Sequence, residues 1–414
     1  MASRGQHLVR ADRNFATGAG WAGRLAAPLF ARIIDHLDQR LKAGGIEVTL
    51  PTGSHRKVGF HAPGAHAIVH LHSWMALVRL STSGSVGWYK AWAAGEWSSP
   101  DPVPLFELFM ANALSLGDTA RAKGPARWIN ALGHRLRDNA PRQARDNVAA
   151  HYDLGNDFYA TWLDPSMTYS AARFAAGDDL EAAQRRKIAA LLDRLDLQPG
   201  QRLLDIGCGW GTLAIEAARR GVSVVGLTLS AEQKIFADDQ TQRAGLGGQI
   251  EIRLQDYRAI DDQFDAIASV EMVEAVGERW WPDYLDCIAG NLKPGGRAAL
   301  QFISIEHRLF GRYAVSADFI QAYIFPGGCL IDETRFEALA KARGLSWGDR
   351  VGFGRDYAQT LAQWRERYDV AVERGALTEF GVEFHNLWRY YLMYCEGGFR
   401  GRGIDVAQVT LVKS

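Results

Sequence analysis

Cysteine is scarce in this chain of 414 residues: Cys208, Cys287, Cys329 and Cys395 stand far apart. No pair has metal-ligand spacing and no disulfide framework is suggested, so no metal site is expected and a reduced, cytoplasmic setting is. Long hydrophobic runs are missing too. Nothing approaches the run of about 18 apolar residues that a bilayer-spanning helix needs. The opening "MASRGQHLVRADRNFATGAG" lacks the apolar centre of a signal peptide. Excess charge of one sign is absent, because Lys+Arg and Asp+Glu each count 47. No nucleic-acid partner is expected on electrostatic grounds. Internal repeats and low-complexity stretches are also lacking. None of these absences excludes peripheral contact with a membrane.

Hydrophobic residues make up 47% and charged residues 23%, which suits a globular chain with a sizeable core and two or three domains. Leu25, Leu29, Ile33, Leu37 and Leu41 recur every four residues and predict an amphipathic helix that ends at Gly44 and Gly45. The segments "IEVTLPTG", "AIVHLHS", "ALVRLST" and "VGWYKAWAAGEW" read as short strands, and "PDPVPLFELFMANAL" as a helix with a Pro-rich start. Residues 1–120 are therefore expected to form a small α+β domain. Residues 121–145 carry seven Lys/Arg and one Asp, interleaved with Trp128, Ile129, Leu132 and Leu136. This basic linker is either a solvated helix or a segment that touches anionic lipid head groups.

From 146 to 414 strand and helix alternate. Strands are expected at "RLLDIG", "VSVVGLTLS", "IEIRLQD", "FDAIASV", "RAALQFISI" and "DVAQVTLVK", with helices between them. The expected fold is α/β, a doubly wound Rossmann-like domain, with a helical insertion at about 305–395 covering the carboxyl edge of its sheet.

The most specific turn is "LLDIGCGWGTLAIEA". Asp205, Gly207, Gly209 and Gly211 sit where a strand passes into a helix. Glycines there let backbone and ligand approach closely. The spacing is G-x-G-x-G rather than the dinucleotide G-x-G-x-x-G, and no phosphate-binding Lys follows. The pattern looks like the first motif of class I S-adenosylmethionine-dependent methyltransferases. "GLTLSAEQ" places Thr228, Ser230 and Gln233 at the end of the second strand. "LQDY" places Asp256 and Tyr257 after the third, where Asp256 can accept from an adenine amino group.

These motifs, with "HYDLGNDFYATWLDPSMTYSAARF" (151–174), "VEMVEAVG" (270–277), "YIFPGG" (323–328) and "YYLMYCEGGFRGRGIDVAQV" (390–409), resemble the cyclopropane-fatty-acyl-phospholipid synthase family. "GEWSSPDPVPLFELF" (95–107) is similar to the N-terminal domain of its longer bacterial members. The resemblance implies methyl transfer from S-adenosylmethionine to a double bond of an unsaturated acyl chain in membrane phospholipid. The cation then loses a proton, most commonly closing a cyclopropane ring. Methyl- or methylene-branched products (a furan-precursor step among them) are the alternative on the same lipid class. A small-molecule methyltransferase and a non-enzymatic lipid binder are the competing classes. A peripheral place on the inner membrane surface and a homodimer are also implied.

The resemblance assigns Glu274 to the active-site glutamate that holds a bicarbonate proton acceptor. Tyr391 falls on an active-site tyrosine, and Ile303 on an aliphatic position near the anion. Tyr169 and Ser170 fall on cofactor contacts. Ala171 replaces a cysteine whose role is a backbone contact, and Gln301 replaces a histidine beside the bicarbonate. Ala275 stands where the family has a further histidine. Glu271 receives no role from the resemblance and reads as a first-turn helix residue favoured by the helix dipole.

Overall fold

The structure, a computed structural model, describes residues 4–10, 27–117, 154–315 and 318–414. The basic segment 121–145 and residues 151–153 of the first family motif lie outside the described residues. The chain divides into two compact units. The first comprises 1–137, 308–326 and 378–404, the second 138–307, 327–377 and 405–414.

The first unit contains the helix Ala27–Arg40, which holds Leu29, Ile33 and Leu37 of the four-residue repeat; Leu25 lies outside the described residues. Its sheet is built from β1 (Gly45–Thr49), β2 (His55–Gly59), β3 (His66–Leu71) and β4 (Trp97–Ser98), in the order β2-β1-β3-β4. The segments "ALVRLST" and "VGWYKAWAAGEW" are not the expected strands. They form one helix, Met75–Ala93, broken at Gly84 (φ 57°, ψ −138°). Short windows of this stretch alternate, but its buried residues Leu77, Leu80, Gly84, Gly87, Trp88 and Ala91 follow a period of three to four. Helix Val103–Ala111 packs on helix Val382–Arg400 at Gly397 and Gly401. A Cβ at Gly397 would lie 2.4 Å from Phe106 Cβ, and one at Gly401 would lie 2.6 Å from Glu107 O. Only glycine permits that approach. Tyr89, Phe319, Tyr323 and Tyr390 form a ring cluster with centroids 4.7–5.4 Å apart. The "FIQAYI" stripe is thus plain core in this unit.

The second unit is built on seven strands: β5 (Arg202–Ile206), β6 (Ser223–Thr228), β7 (Ile250–Leu254), β8 (Phe264–Val270), β9 (Leu292–Ile305), β10 (Leu345–Gly352) and β11 (Ile404–Lys413). Their order is β10-β11-β9-β8-β5-β6-β7. β5 to β9 pair in parallel, and β10 runs antiparallel to β11. The parallel strands are apolar because both faces are covered. Leu203, Leu204, Ala266, Ile267, Ala268, Ala298 and Ala299 are fully buried. β10 is a strand within the helical insertion expected at about 305–395. Its sequence, "LSWGDRVG", is half polar because it is an edge strand with exposed residues, so it lacks an apolar signature. The chain crosses to the other side of β5 when it forms β8. That reversal of strand order opens a crevice at the strands' carboxyl ends.

Candidate active site

β5 ends in Asp205 and Ile206, and the chain turns through Gly207, Gly209 and Gly211 with φ of 83°, 54° and 89°. Side-chain-bearing residues rarely hold such angles. A Cβ at Gly207 would meet Met272 Cγ at 2.7 Å, whereas one at Gly209 would meet nothing within 4 Å, so the turn faces open space. Asp205 is buried at 2% exposure, and among the described residues its Oδ2 has no hydrogen-bond partner. Burial raises its carboxyl to about 7. An acceptor so placed needs a cationic or N–H donor ligand.

At the end of β6, Thr228 Oγ1 donates to Gln233 Oε1 at 2.9 Å and accepts from Ser230 N at 3.1 Å. Ser230 Oγ caps the helix Ala231–Arg243 through Gln233 N. All three side chains are buried and held at one corner of the crevice. After β7, Asp256 accepts two bonds from the Arg258 guanidinium, at 2.9 and 2.7 Å. The Tyr257 hydroxyl is buried with no partner among the described residues, and burial pushes its phenol up. The orphaned Asp205 oxygen, the open space at Gly209 and the uncharged side chains of Thr228, Ser230 and Gln233 fit S-adenosylmethionine, a cation without phosphate.

Tyr169 lies in an aromatic wall. Its ring centroid is 5.4 Å from Tyr159, 5.5 Å from Trp162 and 5.3 Å from Trp364. Tyr159 also approaches Trp210 of the glycine turn, at 5.1 Å. Ser170 Oγ accepts from Lys187 Nζ at 2.7 Å. Lys187 is 1% exposed, and burial lowers its amine to about 8 against the pull of Glu271, Asp164 and Asp205.

Two carboxylates follow β8. Glu271 does not occupy a helix's first turn, as its sequence position suggested. It sits before a short 3₁₀ turn (Val273–Ala275) with φ 48°, its N–H bonded to Gln301 O at 2.7 Å. That backbone aims its side chain into a nest of donors. Oε1 accepts from Ala171 N at 2.8 Å and Gln301 Nε2 at 2.7 Å, and Oε2 accepts from Tyr357 OH at 2.8 Å. Gln301 also donates to Ala171 O at 3.3 Å and accepts from Gln408 Nε2 at 3.0 Å. Both of its N–H groups are thereby committed.

Glu274 accepts from Ile303 N through Oε1, while Oε2 has no hydrogen-bond partner among the described residues. Burial, then the neighbouring Glu271, raises Glu274 to about 8, and burial raises Glu271 also. Two like charges this close share one proton. Three donors and the Lys187 charge favour the anion on Glu271, so the proton rests on Glu274. Both side chains keep some open surface despite their depth, as groups lining a crevice do.

Ala171, Gln301, Glu274 and Ile303 are thus brought together with Glu271. Tyr391 belongs to the first unit, where its ring meets Trp388 and Phe325. The tyrosine on the Glu271 carboxylate is Tyr357, from the helix Gly354–Glu373. Tyr357, Lys187 and Gln408 were missed in the sequence. Lys187 and Gln408 each left a trace: a polar residue on an otherwise buried helix face or strand.

The family model for mycolic acid cyclopropane synthetase matches residues 139–409. The chain belongs to this family. It is 38% identical over 348 residues to tuberculostearic acid methyltransferase UfaA1 of Mycobacterium tuberculosis, covering 81% of this chain and 80% of that one. It is 36% identical to the cyclopropane-fatty-acyl-phospholipid synthase of Escherichia coli K12, covering 80% and 84%. The solved cyclopropane synthase MmaA2 of M. tuberculosis aligns with a TM-score of 0.61 at 32% identity, over 65% of this chain and 98% of that one. The chain is therefore an S-adenosylmethionine-dependent methyltransferase of the kind that methylates or cyclopropanates unsaturated lipid chains. Among the described residues no helix is long and apolar enough to cross a membrane, and no metal-binding cluster is found.

S-adenosylmethionine supplies an electrophilic methyl group on a sulfonium centre. Asp205, the glycine turn, Thr228, Ser230, Gln233, Asp256 and Tyr257 are the residues that would hold it. The aromatic wall excludes water and offers ring faces to positive charge. Bicarbonate does not fit in the same way. The donors of Ala171 and Gln301, expected beside it, already end on the Glu271 carboxylate.

Proposed function

We propose that this enzyme transfers a methyl group to a cis double bond of an acyl chain in membrane phospholipid, working at the inner membrane surface, with closure of a cyclopropane ring. The observation that carries the reading is the pair of carboxylates, Glu271 held by three neutral donors and Glu274 by one backbone N–H, set in an aromatic-walled crevice beside the cofactor turn. An alkene needs no deprotonation before it accepts a methyl group, but the product is a cation. A buried anion lowers the energy of that cation and takes its proton. Phospholipid as substrate draws on the E. coli relative, whose name states it, and on the basic segment 121–145. A homodimer is proposed on the family resemblance alone.

A second reading, a methyl- or methylene-branched chain, is favoured by one observation. Glu271 takes up the donors expected to hold an external anion, so the base meets the cation from a fixed direction. The relative named for tuberculostearic acid supports it. S-adenosylhomocysteine release with mono-unsaturated phospholipid vesicles tests lipid methylation. Release that is equal with fully saturated vesicles contradicts it.

A further inference from the structure

The donors around Glu271 have a consequence for how the reaction ends. Ala171 N, Gln301 Nε2 and Tyr357 OH come from a loop, a strand and a helix far apart in the chain, and all converge on one carboxylate. Glu271 holds a left-handed backbone angle of 48° to reach them, and side-chain-bearing residues avoid that region unless the surroundings impose it. The Lys187 charge favours the Glu271 anion, while the nearby Glu274 holds only one backbone donor. A salt bridge would explain a buried carboxylate, but among the described residues no cation touches Glu271: its three partners are an amide N–H, a side-chain amide and a phenol. Such neutral donors fix an anion in place without neutralising it.

From this geometry we infer that Glu271 is the resident proton acceptor, standing where an external anion would otherwise be bound. The inference rests on the alkene-methylation reading. In the step assigned to it, a C–H bond of the cation breaks and an O–H bond forms on the Glu271 carboxylate. The C–H electron pair closes the third C–C bond of a ring, or becomes a C=C bond if the proton leaves a carbon next to the cationic centre. Cation and carboxylate become a neutral lipid and a neutral carboxylic acid. Turnover therefore does not depend on bicarbonate.

The test uses the full chain, S-adenosylmethionine and dioleoyl phosphatidylglycerol vesicles in carbon-dioxide-free buffer, with and without added bicarbonate. Wild-type turnover is expected to be the same in both. Glu271→Gly, whose glycine accepts the backbone angle freely, should lose about 10²- to 10⁴-fold, the range for a positioned acid–base group. Bicarbonate or formate should restore part of it. NMR of carbon-labelled bicarbonate should show binding to Glu271→Gly and none to wild type. Glu271→Gln should keep cofactor affinity, lose turnover and resist rescue, since its amide fills the nest. Wild-type turnover that collapses without bicarbonate, or Glu271→Gln that stays active, overturns the Glu271 assignment alone. No wild-type turnover in either buffer overturns the lipid-methylation reading and the assignment with it.

Discussion

Replacing Gln301 by Leu probes the nest without changing its volume much. Gln301 is 1% exposed. It donates to Glu271 Oε1 at 2.7 Å and accepts from Gln408 Nε2 at 3.0 Å. Loss of a hydrogen bond to a charged acceptor costs about 1.5–3 kcal/mol, and a buried donor left without its acceptor about 1–3 kcal/mol. Gln408 keeps its bond to Lys187 O at 3.2 Å, which puts the second cost at the low end. The apolar Leu side chain returns about 1 kcal/mol. The net loss is about 1.5–3 kcal/mol, which lowers the melting temperature by about 3–12 °C at 2–4 °C per kcal/mol for a unit of this size. Thermal unfolding of the cofactor-free protein reads it directly. Gln301→His, which retains one N–H donor, should lose less. A Leu variant within about 0.5 kcal/mol of wild type, the scatter of ordinary surface substitutions, would refute the view that this amide holds the nest together.

Three other outcomes are expected. Gly207→Val places a branched side chain at φ 83° against Met272, so S-adenosylhomocysteine affinity by calorimetry should fall at least about tenfold, equivalent to 1.4 kcal/mol; unchanged affinity would remove the turn from the cofactor site. Tyr357→Phe deletes one of three donors to Glu271, so turnover should fall about 10-fold or more while cofactor affinity holds; a loss of affinity instead would place Tyr357 at the cofactor. Stability should also fall as pH rises from 5 to 8. In that window the native chain keeps protons on Asp205 (about 7) and Glu274 (about 8) that the unfolded chain releases near 3.8 and 4.5, each adding a slope of up to about 1.4 kcal/mol per pH unit. Lys187, lowered to about 8, acts with the opposite sign between pH 8 and 10.5. Urea midpoints for wild type and Glu274→Gln check this, and identical pH profiles for the two would contradict it.

Local signals made much of this molecule legible. The glycine turn after β5 and the apolar parallel strands each announce themselves within a dozen residues, because burial on both faces and positive φ restrict residue choice. The four-stranded sheet was only half visible. Met75–Ala93 alternates in short windows, and its helical period emerges only across Gly84. β10 is an edge strand and has no apolar signature. The site divides in the same way. Glu274 and Ile303 could be placed from the family motif, and in the fold the Ile303 N–H of β9 donates to Glu274 in the turn after β8. The use of Glu271 could not be placed that way. Its donors come from Ala171, Gln301 and Tyr357, up to 100 residues away in the chain, and only the folded unit shows that they meet. Tyr357, which donates to the Glu271 carboxylate, stands in no motif that marks it in the sequence.

The central claim is methyl transfer to an unsaturated lipid chain. The most direct test incubates the protein with S-adenosylmethionine carrying a deuterated methyl group and mono-unsaturated phospholipid vesicles, then identifies the released fatty acids by mass spectrometry and NMR. The account predicts deuterium on a carbon added at the former double bond, in a ring or in a branch, with one deuterium lost when the proton leaves that carbon. Deuterium found only in the head group, or none in the lipid while S-adenosylhomocysteine accumulates with another acceptor, would contradict it.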